Sequence, residues 1–130
     1  MLDAIQYCDP PRIGHGVRCV EDKNLMSLLK ERQIHLEISP TSNICLGIFD
    51  TMDNHSFPEI SAAGIPFSIN SDDPPYFNTT LTDELIMAAG RLDWSAEDTD
   101  QYMLNTAEAT LLPATEKSAL IAKINTSLTT

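Results

Sequence analysis

Three short apolar segments, each running into a cluster of small and polar residues and separated by helical stretches, constrain this chain more than any other feature. The first is Arg12-Ile13-Gly14-His15-Gly16, which follows Pro10-Pro11. The second, Ile34-His35-Leu36-Glu37-Ile38-Ser39, alternates and carries β-branched residues, so it predicts a strand. Pro40 ends it, and Thr41-Ser42-Asn43 is loop chemistry, because short polar side chains bond to nearby backbone. The third runs from Ile65 to Asn70, with Pro66 near its start, where a missing N–H is tolerated. Ser71-Asp72-Asp73-Pro74-Pro75 then predicts a rigid turn. Between the first two segments, residues 22–33 place Leu25, Leu28 and Leu29 at helical spacing behind Asp22, a good N-cap. Residues 57–63 predict a short helix closed by Gly64. The stretch from Cys45 to His55 shows no clear period. Further helices are expected over 79–90, over 95–111 behind a capping-box-like Ser95 and Asp98, and from Pro113 on, with a polar tail from Asn125 that frays.

Strand–helix–strand–helix–strand is the pattern of an α/β fold with parallel pairing and right-handed crossovers. Three parallel strands are an uncomfortable object by themselves. Such sheets are normally covered on both faces, and here both edges lie open. The pattern therefore predicts part of a larger sheet, with no linker to divide the chain. Charge and cysteine content narrow the function. Eight Lys and Arg against nineteen Asp and Glu give a formal net charge of −11, with the cations scattered, which argues against a nucleic-acid partner. No run approaches the roughly 20 apolar residues of a membrane span. The N-terminal residues lack a charged region followed by a long apolar one, so a cytoplasmic protein is expected. Cys8, Cys19 and Cys45 are widely spaced and form no CxxC pair, so no disulfide framework or zinc knuckle is expected.

In parallel α/β architectures ligands gather at the carboxyl ends of the strands. His15, the segment Ser39–Asn43 and the pair Asp72-Asp73 all fall there, and neighbouring strands would bring them to one rim. Adjacent carboxylates after an apolar strand need compensation by a metal, a cation or a hydrogen-bonding ligand; the alternative is a capping turn before Pro74. His15 between two glycines reads as a metal ligand, a general base or a satisfied core histidine, and the glycines allow a substrate close to the main chain. His35 and His55 read as structural. No GxSxG, P-loop or dinucleotide fingerprint is present.

These residues stand in the order and spacing of a known set of motifs. Arg12-Ile13-Gly14-His15-Gly16 followed by Glu21-Asp22, then Ser39-Pro40-Thr41-Ser42-Asn43, then Ser68-Ile69-Asn70-Ser71-Asp72-Asp73-Pro74 with Phe77 behind it, resemble motifs of the adenosine deaminases. Asn105 to Pro113 resembles that family's closing helices, so the resemblance covers nearly the whole chain. Adenine and AMP deaminases are similar relatives, and the Pro-Pro-Tyr-Phe run and Gly14 look more like the adenosine branch. The resemblance implies the carboxyl-terminal part of a zinc-dependent TIM (β/α)8 barrel. About three parallel strands with helices, plus closing C-terminal helices, would form one partial domain over residues 1–130. By matching motif, Asp72 resembles the zinc-ligating aspartate and Asp73 the aspartate that hydrogen-bonds the purine imidazole nitrogen. His15 resembles the histidine beside the attacking water, which helps orient and deprotonate it and stabilises its charge, and Gly14 is expected beside the substrate.

The implied activity is hydrolytic deamination of adenosine to inosine and ammonia. An acid must protonate the purine ring as charge builds on it, and the family supplies a glutamate from a His-Ala-Gly-Glu stretch. This chain contains neither that stretch nor the His-x-His that, with it, supplies the zinc histidines. A catalytic zinc usually takes three protein ligands and keeps an open position. With Asp72 as its one clear ligand, the chain is expected to be inactive by itself. A complementary N-terminal segment, or self-association, is the expected partner, and a purine nucleoside the expected substrate. The alternative is a non-catalytic truncated remnant or interaction subunit that pairs its open strand edges with another chain.

Overall fold

The computed structural model describes residues 1–128 and divides into two units, Met1–Leu92 and a second that begins at Asp93. The first holds a three-stranded parallel sheet in the order β1 (Arg12–Gly14), β2 (His35–Ile38), β3 (Phe67–Ile69). Arg12 pairs with His35 and Gly14 with Glu37, while Leu36 pairs with Phe67 and Ile38 with Ile69. Among the described residues eight helices and two short 3-10 turns alternate with and follow the strands in chain order. In the first unit they are α1 (Leu2–Cys8), α2 (Lys23–Glu31), α3 (Pro40–Cys45), α4 (Phe57–Ala62), α5 (Pro74–Phe77) and α6 (Leu81–Leu92). The second unit adds α7 (Ala96–Glu108) and α8 (Ala114–Leu128). Among the described residues no helix is long and apolar enough to cross a membrane.

Side-chain alternation along the strands gives the sheet two unlike faces. Ile13, Leu36, Ile38, Phe67 and Ile69 share one, and of these Leu36, Ile38 and Ile69 are buried. With Leu29, Phe57 and Ile60 from the helices they make the core, each fully buried side chain contributing roughly 1.5–3 kcal/mol. Arg12, His35, Glu37 and Ser68 share the other face, where Arg12 and Glu37 form an ion pair. A polar face opposite an apolar one is unusual for parallel strands, whose faces are both normally apolar.

Local chemistry explains the element ends. The Asp22 carboxylate accepts from the N–H groups of Asn24 and Leu25 and starts α2. Gly64 follows α4 with φ +72°, the left-handed position at which a helix commonly stops. In the second unit, Ser95 and Asp98 form a reciprocal capping box, and the Trp94 and Tyr102 rings lie 4.7 Å apart.

The elements correct the sequence expectations in four places. Pro40 ends β2 but also occupies the first position of α3, so Thr41, Ser42 and Asn43 are helical rather than loop. The turn after β3 closes into α5, with Asp73 as its N-cap and Pro74 at the first helical position. Residues 2–8 form a helix that the sequence does not announce, because only Ile5 is buried along it. Finally, α8 carries helix through Asn125 to Leu128, where fraying is expected; Thr129 and Thr130 lie outside the described residues.

Candidate active-site rim

The carboxyl ends of the three strands converge on one cleft of about 420 Å³, bounded by Gly14, His15, Glu37, Ser39, Asn70 and Asp72 among others. That volume is within the range of small-molecule sites. Ladder bonds extend one residue past the strands: His15 N–H donates to the Glu37 carbonyl at 2.8 Å, and Asn70 N–H to the Ile38 carbonyl at 2.8 Å. Both polar side chains are therefore fixed at their roots to the central strand's ladder.

His15 and Asp72 meet at the rim. His15 Nε2 lies 3.7 Å from Asp72 Oδ2, with side-chain exposures of 42% and 35%. Both residues hold left-handed backbone, φ 55° and 56°. Outside glycine this conformation is uncommon and costs roughly 1–3 kcal/mol, and it clusters at functional sites. At both positions it turns the chain sharply where a strand ends.

Three buried side chains hold this pair. Ser42 Oγ donates to Asp72 Oδ2 at 2.7 Å, and Asn43 Nδ2 meets His15 Nδ1 at 3.1 Å. His55 Nε2 meets Asn43 Oδ1 at 3.1 Å and stands 4% exposed. Burial pushes the His55 imidazole down to about 4, so it is neutral near pH 7. The other buried histidine, His35, is also depressed to about 4, by burial first and the Arg12 charge second. A further buried carboxylate, Glu84 at 1% exposure, accepts from Thr41 N–H at 3.3 Å and from Thr79 Oγ at 2.9 Å. It ties the start of α3 to the segment after α5.

The structure brings His15, Gly14 and Asp72 to one cleft. Asp73 stands one residue further on, and its Oδ1 accepts from Tyr76 N–H at 3.3 Å as the cap of α5. The two glycines separate. Gly14 borders the cleft, and a methyl group added there would reach only to 4.0 Å from Glu37 Oε2. Gly16 has φ +66°, and a Cβ there would sit 2.8 Å from Leu36 Cδ2, so its smallness serves packing rather than a ligand. Sequence reasoning misses Glu84 and the hydrogen bonds of Ser42 and Asn43. The signal available for the latter two was a pair of amide and hydroxyl side chains directly after a strand; for Glu84, inside an amphipathic helix, there was none.

Among the described residues no three His, Cys, Asp or Glu side chains converge to hold a metal ion. Asp72 fits as a single oxygen ligand: Ser42 engages one carboxylate oxygen, and no hydrogen bond among the described residues engages the other.

The adenosine deaminase family profile matches residues 1–127. An adenine deaminase of Rhizobium johnstonii is 38% identical over 124 residues, covering 95% of this chain and 38% of that protein. An aminodeoxyfutalosine deaminase of Streptomyces avermitilis is 40% identical over 124 residues, covering 95% of this chain and 35% of that protein. Among solved structures, the adenine deaminase of Arthrobacter aurescens superposes with a TM-score of 0.88 at 27% identity, over 99% of this chain and 39% of that one. The N6-methyl-AMP deaminase of Arabidopsis thaliana superposes with a TM-score of 0.85 at 28% identity, over 97% of this chain and 38% of that one. The chain thus spans well under half the length of the relatives it matches. The α/β architecture is that of a carboxyl-terminal part of a TIM-barrel deaminase. The narrower expectation of an adenosine-type enzyme draws no support from these relatives, which are named for other substrates.

Proposed function

The chain belongs to the adenosine deaminase family, and we propose that it is the carboxyl-terminal sector of a single barrel domain that hydrolytically deaminates a 6-aminopurine. The observation that carries this reading is the meeting of His15 Nε2 and Asp72 Oδ2 at 3.7 Å on the rim of three parallel strands. Adenine or an adenine-bearing nucleoside or nucleotide is the substrate class, on the names of the relatives.

Asp72 would hold a divalent metal, with zinc as the candidate, through its carboxylate. When bound, such an ion lowers the pKa of water so that hydroxide is available near neutral pH. The remaining ligands and the ring-protonating acid would come from polypeptide outside these 130 residues. Ser42 keeps the Asp72 carboxylate in one orientation. His15 presents its ring edge to the same space, where it can hydrogen-bond the attacking oxygen and stabilise its charge. Gly14 leaves room for the base against the backbone. Asp73, from its capping position on α5, is the candidate partner for a purine ring nitrogen. Water adds at the ring carbon bearing the amine, the carbon–nitrogen bond breaks and ammonia leaves.

One specific observation favours a second reading for the chain by itself. The donor set among the described residues is incomplete, which suits a non-catalytic chain or one that joins another through its strand edges. The test is metal content and ammonia release from adenine, adenosine and AMP, with this chain alone and with a polypeptide supplying the missing barrel strands. Turnover only in the mixture, lost in Asp72→Ala, supports the proposal. Turnover by this chain alone overturns the incomplete-site reading, and no turnover with any of the three substrates in a metal-loaded mixture overturns the deaminase reading.

A further inference from the structure

A chain of three hydrogen bonds runs from the protein interior to the rim histidine. At its inner end, the backbone N–H of Phe57 donates to His55 Nδ1 at 3.1 Å. A ring nitrogen that accepts carries no proton, so neutral His55 has its proton on Nε2. That nitrogen stands 3.1 Å from Asn43 Oδ1 and donates to it. The amide is thereby fixed end for end, and Asn43 Nδ2, which can only donate, faces His15 Nδ1 at 3.1 Å. His15 Nδ1 must accept, so the proton of the neutral ring is on Nε2, the nitrogen turned toward Asp72.

We propose that His55 and Asn43 are positioning residues that hold His15 in its Nε2–H tautomer, so that the ring turns a hydrogen-bond donor rather than a base toward the cleft. The catalytic meaning of this rests on the deaminase reading above; of the roles expected for His15 it keeps orientation and charge stabilisation and removes deprotonation at Nε2. A neutral imidazole with its proton on Nε2 cannot take a proton there. It can donate to an attacking oxygen and stabilise the negative charge on it.

The relay is built to stay in one state. Asn43 is fully buried, its own N–H donates to the Ser39 carbonyl at 3.0 Å, and its carbonyl accepts from Ile48 N–H at 2.9 Å. The His55 ring lies between those of Phe49 and Phe57, with centroids 4.5 and 5.2 Å away. His55 also stays neutral near pH 7, as its burial requires. The anchoring donor is a backbone N–H, which no titration removes.

The test reads ring nitrogens directly, by ¹⁵N NMR of the full chain at mildly alkaline pH, in solution or on sedimented protein. With only His15, His35 and His55 present, assignment is direct. The expected wild-type result is a single Nε2–H tautomer for both His15 and His55. In Asn43→Asp the new carboxylate offers no proton, so His15 is expected to shift to Nδ1–H. Because a buried aspartate could unfold the chain, His55→Phe gives a second arm. It keeps a ring between Phe49 and Phe57 but frees the amide to turn, and His15 is expected to become a mixture of tautomers. A wild-type His15 protonated on Nδ1, or already mixed, overturns the proposal. So does a folded variant of either kind in which His15 remains wholly Nε2–H. The readout does not involve deamination, so failure of the deaminase reading and failure of the relay are separate outcomes.

Discussion

Ser42 Oγ and Asp72 Oδ2 lie 2.7 Å apart, a hydroxyl from α3 donating to a carboxylate from the loop after β3. The bond links the ends of two strands and sets the carboxylate that faces His15. A hydrogen bond to a charged group is worth roughly 1.5–3 kcal/mol, less where the carboxylate is partly exposed. Ser42→Ala is therefore expected to lower stability by about 1–2 kcal/mol. A double-mutant cycle with Asp72→Gly isolates the bond, because relief of the positive φ at position 72 enters both arms and cancels. Urea unfolding of the three variants should show coupling above about 0.5 kcal/mol; strict additivity would mean that the two side chains do not interact.

Glu84 makes the opposite case, a carboxylate buried to 1% exposure that touches no substrate space. It accepts from Thr41 N–H and Thr79 Oγ. Replacing it by leucine removes the acceptor of two part-buried donors, of which Thr79 Oγ keeps a long contact to the Thr80 carbonyl, so each loss falls at or below the lower end of the roughly 1–3 kcal/mol of a buried unpaired group. Glu84→Leu is expected to cost about 1–3 kcal/mol in unfolding free energy, and Glu84→Gln clearly less, since one oxygen still accepts. Equal losses for the two would show that the one amide oxygen glutamine retains does not replace the carboxylate as acceptor.

How much of this was legible depends on what each residue answers to. The strands and the rim residues His15 and Asp72 could be read, because strand ends in a parallel sheet follow from alternation and connectivity. The three-residue β1 has its ladder to β2 lengthened at both ends, by His15 N–H donating to the Glu37 carbonyl and by the Pro11 carbonyl accepting from His35 N–H. The helices at Pro40 and Pro74 were hidden, since proline and short polar residues signal turns as readily as a first helical position. Asp73 shows the capping behaviour that was one of its two readings, while Asp72 faces the cleft. The link between His15 and His55, forty residues apart, depends on tertiary contact through Asn43, which no local pattern encodes.

The three thiols should differ in reactivity. Cys8 and Cys45 are exposed, whereas Cys19 is fully buried. Burial pushes the Cys19 thiol up to about 11, so almost none of it is thiolate at neutral pH. Mass spectrometry after brief alkylation of the folded chain is expected to show two modified cysteines. The third should react only in denaturant. Labelling of Cys19 at the rate of the other two would mean that the core around it opens readily.

Acid should destabilise the first unit well above the range where carboxylates titrate. His35 and His55 each have a folded-state pKa of about 4 against an ordinary value of 6.5. Unfolding therefore takes up protons between those limits, and stability rises with pH across that window. Above about pH 6.5 both states are neutral and the effect vanishes. As pH falls from about 6.5 to about 4 the unfolded chain gains protons that the folded one refuses, and by about pH 4 the loss is complete. A shift of this size corresponds to on the order of 3 kcal/mol per imidazole. Chemical unfolding at a series of pH values should give a slope that approaches two protons near pH 5 and falls toward one in His55→Phe. A flat profile from pH 7 to pH 5 would mean that both rings accept protons in the folded state.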